Sequence, residues 1–180
     1  MRWKRIAIVL AVAAAVAAVV AVPAFAVRGD DAKRVSKNGK AEGVISGVHV
    51  AVEYGRPSVN GRKIWGGLVP YGQVWRTGAN EATTVSFDRD VTIEGKPLAK
   101  GTYAFFAIPT EASWTLIFNK TAEQWGAFKY DEKQDALRVS VTPAAHAPVE
   151  TLTYAVSGDT VALDWEKLEV AFHVAPAAAH

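Results

Sequence analysis

Short segments in which apolar and polar residues alternate follow one another along most of this chain. In the first, over 44–54, apolar residues at 44, 48, 50, 52 and 54 alternate with smaller or more polar ones at 47, 49, 51 and 53. A period of two is typical of a strand with one buried face. The same pattern predicts further strands over 83–87, 91–94, 102–108, 114–119, 137–141, 152–156, 161–165 and 168–174. Many short strands with glycine- and proline-containing turns predict an all-β protein, a single antiparallel β-sandwich of about eight or nine strands.

Two longer stretches depart from the strand pattern. One short helix is predicted over 121–128, where Thr121 and Gln124 match the T-x-x-Q capping box. The segment 55–75 has no strand pattern but is rich in aromatic and aliphatic residues, which argues against disorder. We therefore expect a long loop that packs over the sheet. Shorter connections are predicted over 143–150 and 165–168.

The first 26 residues have the three parts of a secretory signal peptide. A basic start is followed by an apolar run over 6–22 and by the small-residue cleavage pattern Ala24-Phe25-Ala26. The sequence thus predicts cleavage after Ala26 and a secreted or periplasmic protein. An uncleaved membrane anchor is the alternative, since the apolar run reaches the lower end of the ~17–25 residues that span a bilayer.

The rest of the chain is predicted to contain a leader, one domain and a tail. The segment 27–43 is polar, charged and aperiodic, which predicts a flexible leader. The β-sandwich domain is predicted over 44–174, and 175–180 is predicted to be a disordered tail.

Charge and cysteine content exclude several classes of function. The predicted signal peptide holds three of the 20 basic residues and none of the 18 acidic ones, so the remaining chain has a net charge of −1. Without a basic surface, it is predicted to bind neither nucleic acid nor, after signal cleavage, a membrane. The chain has no cysteine, which excludes disulfides, thiolate nucleophiles and cysteine-ligated metals. No cofactor motif is present, and no cofactor is predicted.

Polar and aromatic side chains concentrate along the predicted loop and just after it. They are Arg56, Tyr71, Trp75, Arg76, Asn80 and Glu81. The arginine fork suits carboxylates, phosphates and sugar hydroxyls, and aromatic rings beside such groups grip sugar rings. The six residues form the predicted binding site for a glycan or a small anionic molecule. In the alternative interpretation, Arg76 and Glu81 hold each other and fix the loop, because a buried arginine needs a partner.

Metal ligation has weak support in the sequence. There is no H-E-x-x-H motif or other tight ligand spacing, so no metal site is predicted. The weak candidates are the pairs His49 with Glu53 and Glu169 with His173, each four residues apart on a predicted strand. Four residues along a strand span about 13 Å, so neither pair chelates a metal alone. The four would meet only if the two strands were parallel neighbours.

Two other functions stay open at this level. An envelope hydrolase would use Glu81 as acid or base and Arg76 to place an anion, with His49 or Glu53 as the second titratable group. A structural or protein-interaction module would present an exposed apolar patch or a bare edge strand. The sequence does not decide the oligomeric state.

The string VEYGRPSVNGRKIWGGLVPYGQVWRTGANEATTVSFDRDVTIEGKPLAKGTY begins at Val52. It resembles the core of the domain of unknown function 2911 (DUF2911) family of exported bacterial proteins. The similarity continues through FAIPTEASWTLIFNK and WGAFKYDEKQDALRVSV to LDWEKLEVAFHV, and so covers about 44–174. The resemblance implies an exported β-protein and supplies no catalytic residue. We therefore expect a cell-envelope β-domain that binds a ligand without catalysis.

Overall fold

The computed structural model describes residues 28–178, so the predicted signal peptide and the end of the predicted tail lie outside the described residues. The described chain forms ten strands and two 3-10 turns, Asp31–Lys33 and Glu132–Gln134. The strands are β1 (Lys37–Ile45), β2 (Val48–Arg56), β3 (Thr83–Phe87), β4 (Val91–Ile93), β5 (Lys96–Leu98), β6 (Gly101–Pro109), β7 (Trp114–Asn119), β8 (Asp135–Val141), β9 (Ala144–Ser157) and β10 (Thr160–Pro176). Within 28–178, no helix has the length and hydropathy to cross a membrane.

The strands form two antiparallel sheets, which confirms the predicted all-β class. Their order is β1-β2-β3-β6-β7-β8 in the larger sheet and β5-β4-β10-β9 in the smaller. Aromatic rings of the two sheets meet between them: the centroids of Phe105 and Phe118 each lie 5.5 Å from that of Phe172. One hydrophobic core thus joins both sheets in a sandwich.

The first predicted strand is in fact a hairpin, and part of the predicted leader belongs to it. β1 and β2 pair along their whole lengths, so their connection is the two-residue turn Ser46-Gly47. Both turn residues have positive φ, 49° and 83°, as a type I′ turn requires. The prediction of one strand over 44–54 is therefore wrong, and the predicted leader over 27–43 is corrected at 37–43, which belong to β1. β1 is an edge strand with one exposed side, and its sequence has few apolar residues to reveal it.

The last two strands are longer than predicted. β10 continues through the predicted turn at 165–168, because Glu166 adopts a φ of 57° and two register shifts against β9 form bulges around it. β9 begins inside the predicted loop over 143–150, and β10 ends at Pro176, beyond the predicted start of the tail. The domain therefore extends further at both ends than 44–174.

The segment 121–128 is not a helix, which corrects the prediction. Gln124 donates its side-chain amide to the Thr121 carbonyl (2.7 Å), so the capping box does not form. The backbone pairs instead with residues 80–82, through the carbonyl of Gln124 and the N–H of Gly126. Tertiary pairing has replaced the local bonds of a helix, whose interior Gly126 already disfavours.

The long irregular segment is ordered and packed, as predicted. Residues 57–82 contain no strand, but isolated bridges join Ser58 to Thr151 of β9 and Trp75 to Ala107 of β6. The loop is therefore attached to both sheets.

Four tryptophans pack together where this loop meets the core, and we call them the tryptophan cluster. Trp65 and Trp75 come from the loop, Trp114 from β7 and Trp165 from β10. The ring centroid of Trp65 lies 5.0 Å from that of Trp114 and 5.7 Å from that of Trp165. Trp75 stacks on Trp165 at 5.9 Å. Offset and edge-to-face contacts of this kind add to the free energy that burial itself contributes.

Candidate functional site

The chain before β3 crosses the end of β2 with backbone against backbone. The Ala79 N–H donates to the Gly55 carbonyl (3.2 Å), and a Cβ on Gly55 would lie 2.1 Å from the carbonyl oxygen of Ala79. Thr77 and Asn80 flank the crossing with φ of 51° and 64°, which few side chains tolerate. The segment TGAN, residues 77–80, therefore adopts the backbone conformation that this close crossing requires. The side chains on either side of it, Arg76 and Glu81, have different surroundings.

Glu81, after the crossing, binds the N-terminal segment. Arg34 donates to both carboxylate oxygens of Glu81, each at 2.5 Å, and the Gly29 N–H donates to one of them at 3.3 Å. Arg28 lies 3.7 Å from the other and also donates to two backbone carbonyls. We call Glu81 with Arg28 and Arg34 the arginine clasp. The hydrogen bonds from Arg34 are the main cause that lowers the pKa of Glu81 to about 2, so the carboxylate is ionised at neutral pH.

Arg76, before the crossing, is not bonded to Glu81, so the interpretation in which the two hold each other is wrong. Within 28–178, the Arg76 side chain has no hydrogen bond or ion pair, and its Nε is buried without a partner. Burial lowers the pKa of Arg76, with no neighbouring carboxylate to oppose the effect. The guanidinium is therefore a partly buried charge without compensation.

Arg76 lines a cavity of about 300 Å³, which we call the Arg76 cavity. The other lining residues are Val35, Ser36, Pro57, Ser58, Asn60, Arg62, Leu68, Val69, Trp75, Gly78, Ala79 and Trp165. Arg62 is tied to backbone, since its Nε and Nη2 donate to the carbonyls of Val59 and Ser58 (3.0 and 2.5 Å). Polar and apolar groups share this wall, so a small molecule could make both hydrogen bonds and apolar contacts there.

Of the six predicted binding residues, the structure brings only Trp75 and Arg76 to this cavity. Asn80 donates from Nδ2 to the carbonyl of Ser36 (3.0 Å), so it supports a residue of the cavity wall without lining the cavity itself. Tyr71 packs its ring on Gly66, and Arg56 lays its aliphatic part along Gly39. Glu81 belongs to the arginine clasp.

Two parts of the cavity wall could not be predicted from the sequence. Val35 and Ser36 lie in the predicted leader, and Trp165 lies at a predicted turn. The only available signal was the high tryptophan content of the chain, because six tryptophans in 180 residues favour an aromatic cluster but do not say which rings meet.

The weak metal candidates do not meet. His49 and Glu53 lie on β2 and Glu169 and His173 on β10, and these strands belong to different sheets. The backbone N–H and the ring Nδ1 of His173 both contact Glu94, at 2.6 and 3.0 Å.

The low pKa of Glu81 disfavours it as the general acid or base of a hydrolase. Glu81 has a pKa of about 2 and accepts two hydrogen bonds from Arg34. A general acid or base works best with a pKa near the operating pH. The clasp thus gives Glu81 a structural role.

Acid should weaken the fold through the clasp. Because the folded-state pKa of Glu81 is lowered from 4.5 to about 2, its contribution is complete above pH 4.5 and is lost as the pH falls towards 2. We expect Glu81→Gln to lower the free energy of unfolding at pH 7 by about 1–2 kcal/mol, less than a fully buried pair contributes. Urea denaturation from pH 7 to pH 2.5 measures both effects. The variant should show a shallower loss with acid than the wild type, whereas Glu132→Gln, which removes an exposed carboxylate, should not. A wild-type slope retained in Glu81→Gln would contradict the assignment.

Comparison with known proteins gives one match. No curated protein and no solved structure matches the chain significantly. The family model described as "Protein of unknown function (DUF2911)" matches residues 36–174, from Ser36 in the wall of the Arg76 cavity to Val174 in β10. This match confirms the resemblance seen in the sequence, and the chain belongs to the DUF2911 family.

Proposed function

We propose that the protein is a non-catalytic binding module whose Arg76 cavity takes a small molecule that carries a carboxylate or phosphate next to a sugar-sized ring. The single observation that supports this is that the side chain of Arg76, a residue of the cavity wall, has no hydrogen-bond or ion-pair partner among the described residues. A partly buried charge without a partner carries a desolvation cost, and a bound anion would offset that cost.

The rest of the wall suits the ring of such a ligand. The indoles of Trp75 and Trp165 stack on each other and line the cavity together with Pro57 and Leu68. These rings supply apolar contact, while the hydroxyl of Ser58 and the amide of Asn60 can bond ring hydroxyls. A volume of about 300 Å³ accommodates one ring with a charged substituent rather than a long glycan.

Export of this module to the cell envelope is part of the proposal. The support is the signal-peptide pattern over 1–26. Arg28, two residues after the predicted cleavage site, is held by the carbonyls of Glu53 and Ala82 (2.7 and 2.8 Å), so the fold contacts the chain directly after that site. Amino-terminal sequencing of the protein from an expressing bacterium should read from Val27. A start at Met1 would contradict cleavage.

Three ligands that share a ring and differ in charge test the binding proposal. Glucuronate and glucose 6-phosphate should raise the melting temperature of the wild type, whereas glucose should not, because only the first two offer an anion to Arg76. Arg76→Gln keeps most of the side-chain volume and removes the charge. We expect it to weaken binding of the charged ligands at least ~10-fold, or about 1.4 kcal/mol, in calorimetric titrations.

Arg56→Gln is the matched control, because Arg56 also has a buried Nε without a partner but lies outside the cavity wall. It should leave affinity unchanged. The proposal fails if neither anion binds the wild type, or if both bind Arg76→Gln as tightly.

A further inference from the structure

We propose that His146, Asp164 and Glu169 form a binding site for a divalent transition-metal ion of the zinc type. Each side chain offers one ligand atom, and the three atoms lie within 4.8 Å of one another. The set lies outside the Arg76 cavity, so it does not depend on the proposed function.

The irregular pairing of β10 with β9 around Glu166 brings the two carboxylates together. Asp164 and Glu169 are five residues apart, and in a regular strand this odd spacing places side chains on opposite faces. The two register shifts against β9 fall between Asp164 and Leu168 and change the alternation. Across the ladder, Leu168 pairs with Ala145, the neighbour of His146. The proposed metal site thus depends on the irregular pairing around Glu166. The same irregularity is the reason why the sequence predicted two strands in place of β10.

The hydrogen bonding of the donor groups suits metal ligation. Nδ1 of His146 lies 2.7 Å from the Ala147 carbonyl, which can only accept, so Nδ1 is the donor and, in the neutral ring, Nε2 has the free lone pair. A backbone carbonyl on the other ring nitrogen is the usual support of a metal-bound histidine. Oδ1 of Asp164 is buried and has no hydrogen-bond partner among the described residues. A buried carboxylate oxygen without a donor calls for an explanation, and a bound cation supplies one.

The three groups converge without bonding to one another. No hydrogen bond or ion pair within 28–178 joins them. Ligands on a tetrahedral zinc ion lie about 3.4 Å apart, so small side-chain movements from 4.8 Å close the site. One imidazole and two carboxylates suit Zn²⁺ or Co²⁺ better than Ca²⁺, which takes oxygen ligands alone. With three protein ligands, the ion would keep an open position for water.

Titration of the untagged, metal-free protein with ZnCl₂ tests this site. We expect one ion per chain by calorimetry, and visible d–d absorption when CoCl₂ replaces ZnCl₂. His146→Ala and Asp164→Asn should each weaken Zn²⁺ binding at least ~10-fold. His146 is exposed, so its replacement should leave the circular dichroism spectrum and melting temperature of the metal-free protein unchanged.

His173→Ala is the matched control, because His173 is an exposed histidine of β10, the strand of Asp164 and Glu169, and contacts Glu94 instead. It should bind Zn²⁺ as the wild type does. The proposal is overturned if the wild type binds no Zn²⁺ at millimolar concentrations, if His146→Ala binds as tightly as the wild type, or if His173→Ala weakens binding equally.

Discussion

Replacing Trp114 with alanine is expected to lower the free energy of unfolding by about 3–5 kcal/mol, the usual cost of deleting a large buried aromatic ring. Trp114 is 1% exposed and begins β7, and its ring centroid lies 5.0 Å from that of Trp65 and 6.0 Å from that of Trp75, both in the loop. Its loss leaves a cavity and also removes the surface on which the loop tryptophans pack. Denaturation in guanidinium chloride, followed by circular dichroism, gives the change directly.

Trp125→Ala is the control for this substitution, because Trp125 is 58% exposed. The same chemical change there should cost less than about 1 kcal/mol, since little apolar surface returns to water. Equal losses at the two positions would show that the tryptophan cluster contributes nothing special to the core.

Gly55→Ala is expected to cost at least about 3 kcal/mol, at the top of the range for overpacking. The added Cβ would lie 2.1 Å from the carbonyl oxygen of Ala79, and backbone cannot rotate out of the way as a long side chain can. The substitution should also break the Ala79–Gly55 hydrogen bond, which holds the crossing between Arg76 and Glu81. Urea denaturation measures the loss of stability, and amide hydrogen exchange should show faster exchange at Ala79.

Gly158→Ala separates this clash from the ordinary cost of replacing glycine. Gly158 has a φ of 61° and no atom within 4 Å of an added Cβ, so only backbone strain of about 1–2 kcal/mol is expected. If Gly55→Ala were no worse than Gly158→Ala, the two backbones would not be in contact at the crossing.

The strands that the sequence revealed are those with a regular two-residue period and buried apolar positions, such as β3 and β7. β1 escaped prediction because an edge strand can be polar on its exposed side, and the hairpin turn is only Ser46-Gly47. β10 was divided in two because a bulge interrupts the period just as a turn does. Residues 121–128 contain a capping-box pattern typical of a helix start. Their backbone nevertheless pairs with residues 80–82, so no helix forms.

The candidate site was predictable only where it is local. Trp75 and Arg76 stand together in one unusual string, and both line the cavity. The partner of Glu81 could not be predicted from the sequence, because Arg34 lies 47 residues away in a segment with no strand pattern. Charge complementarity alone favoured the nearer Arg76, and only the three-dimensional crossing at Gly55 decides between the two.

The Arg76 cavity also has a consequence for how the protein matures. Its wall extends in sequence from Val35 to Trp165, and the loop that covers it bonds through Ser58 to Thr151, 93 residues away. Contacts between such distant residues form late, because the entropy of closing long loops must be overcome first. A chain that lacks β10 has no Trp165 and so has no complete cavity. If the cavity binds the proposed anion, that binding should lag behind the recovery of β-structure during refolding and report the completion of the native state.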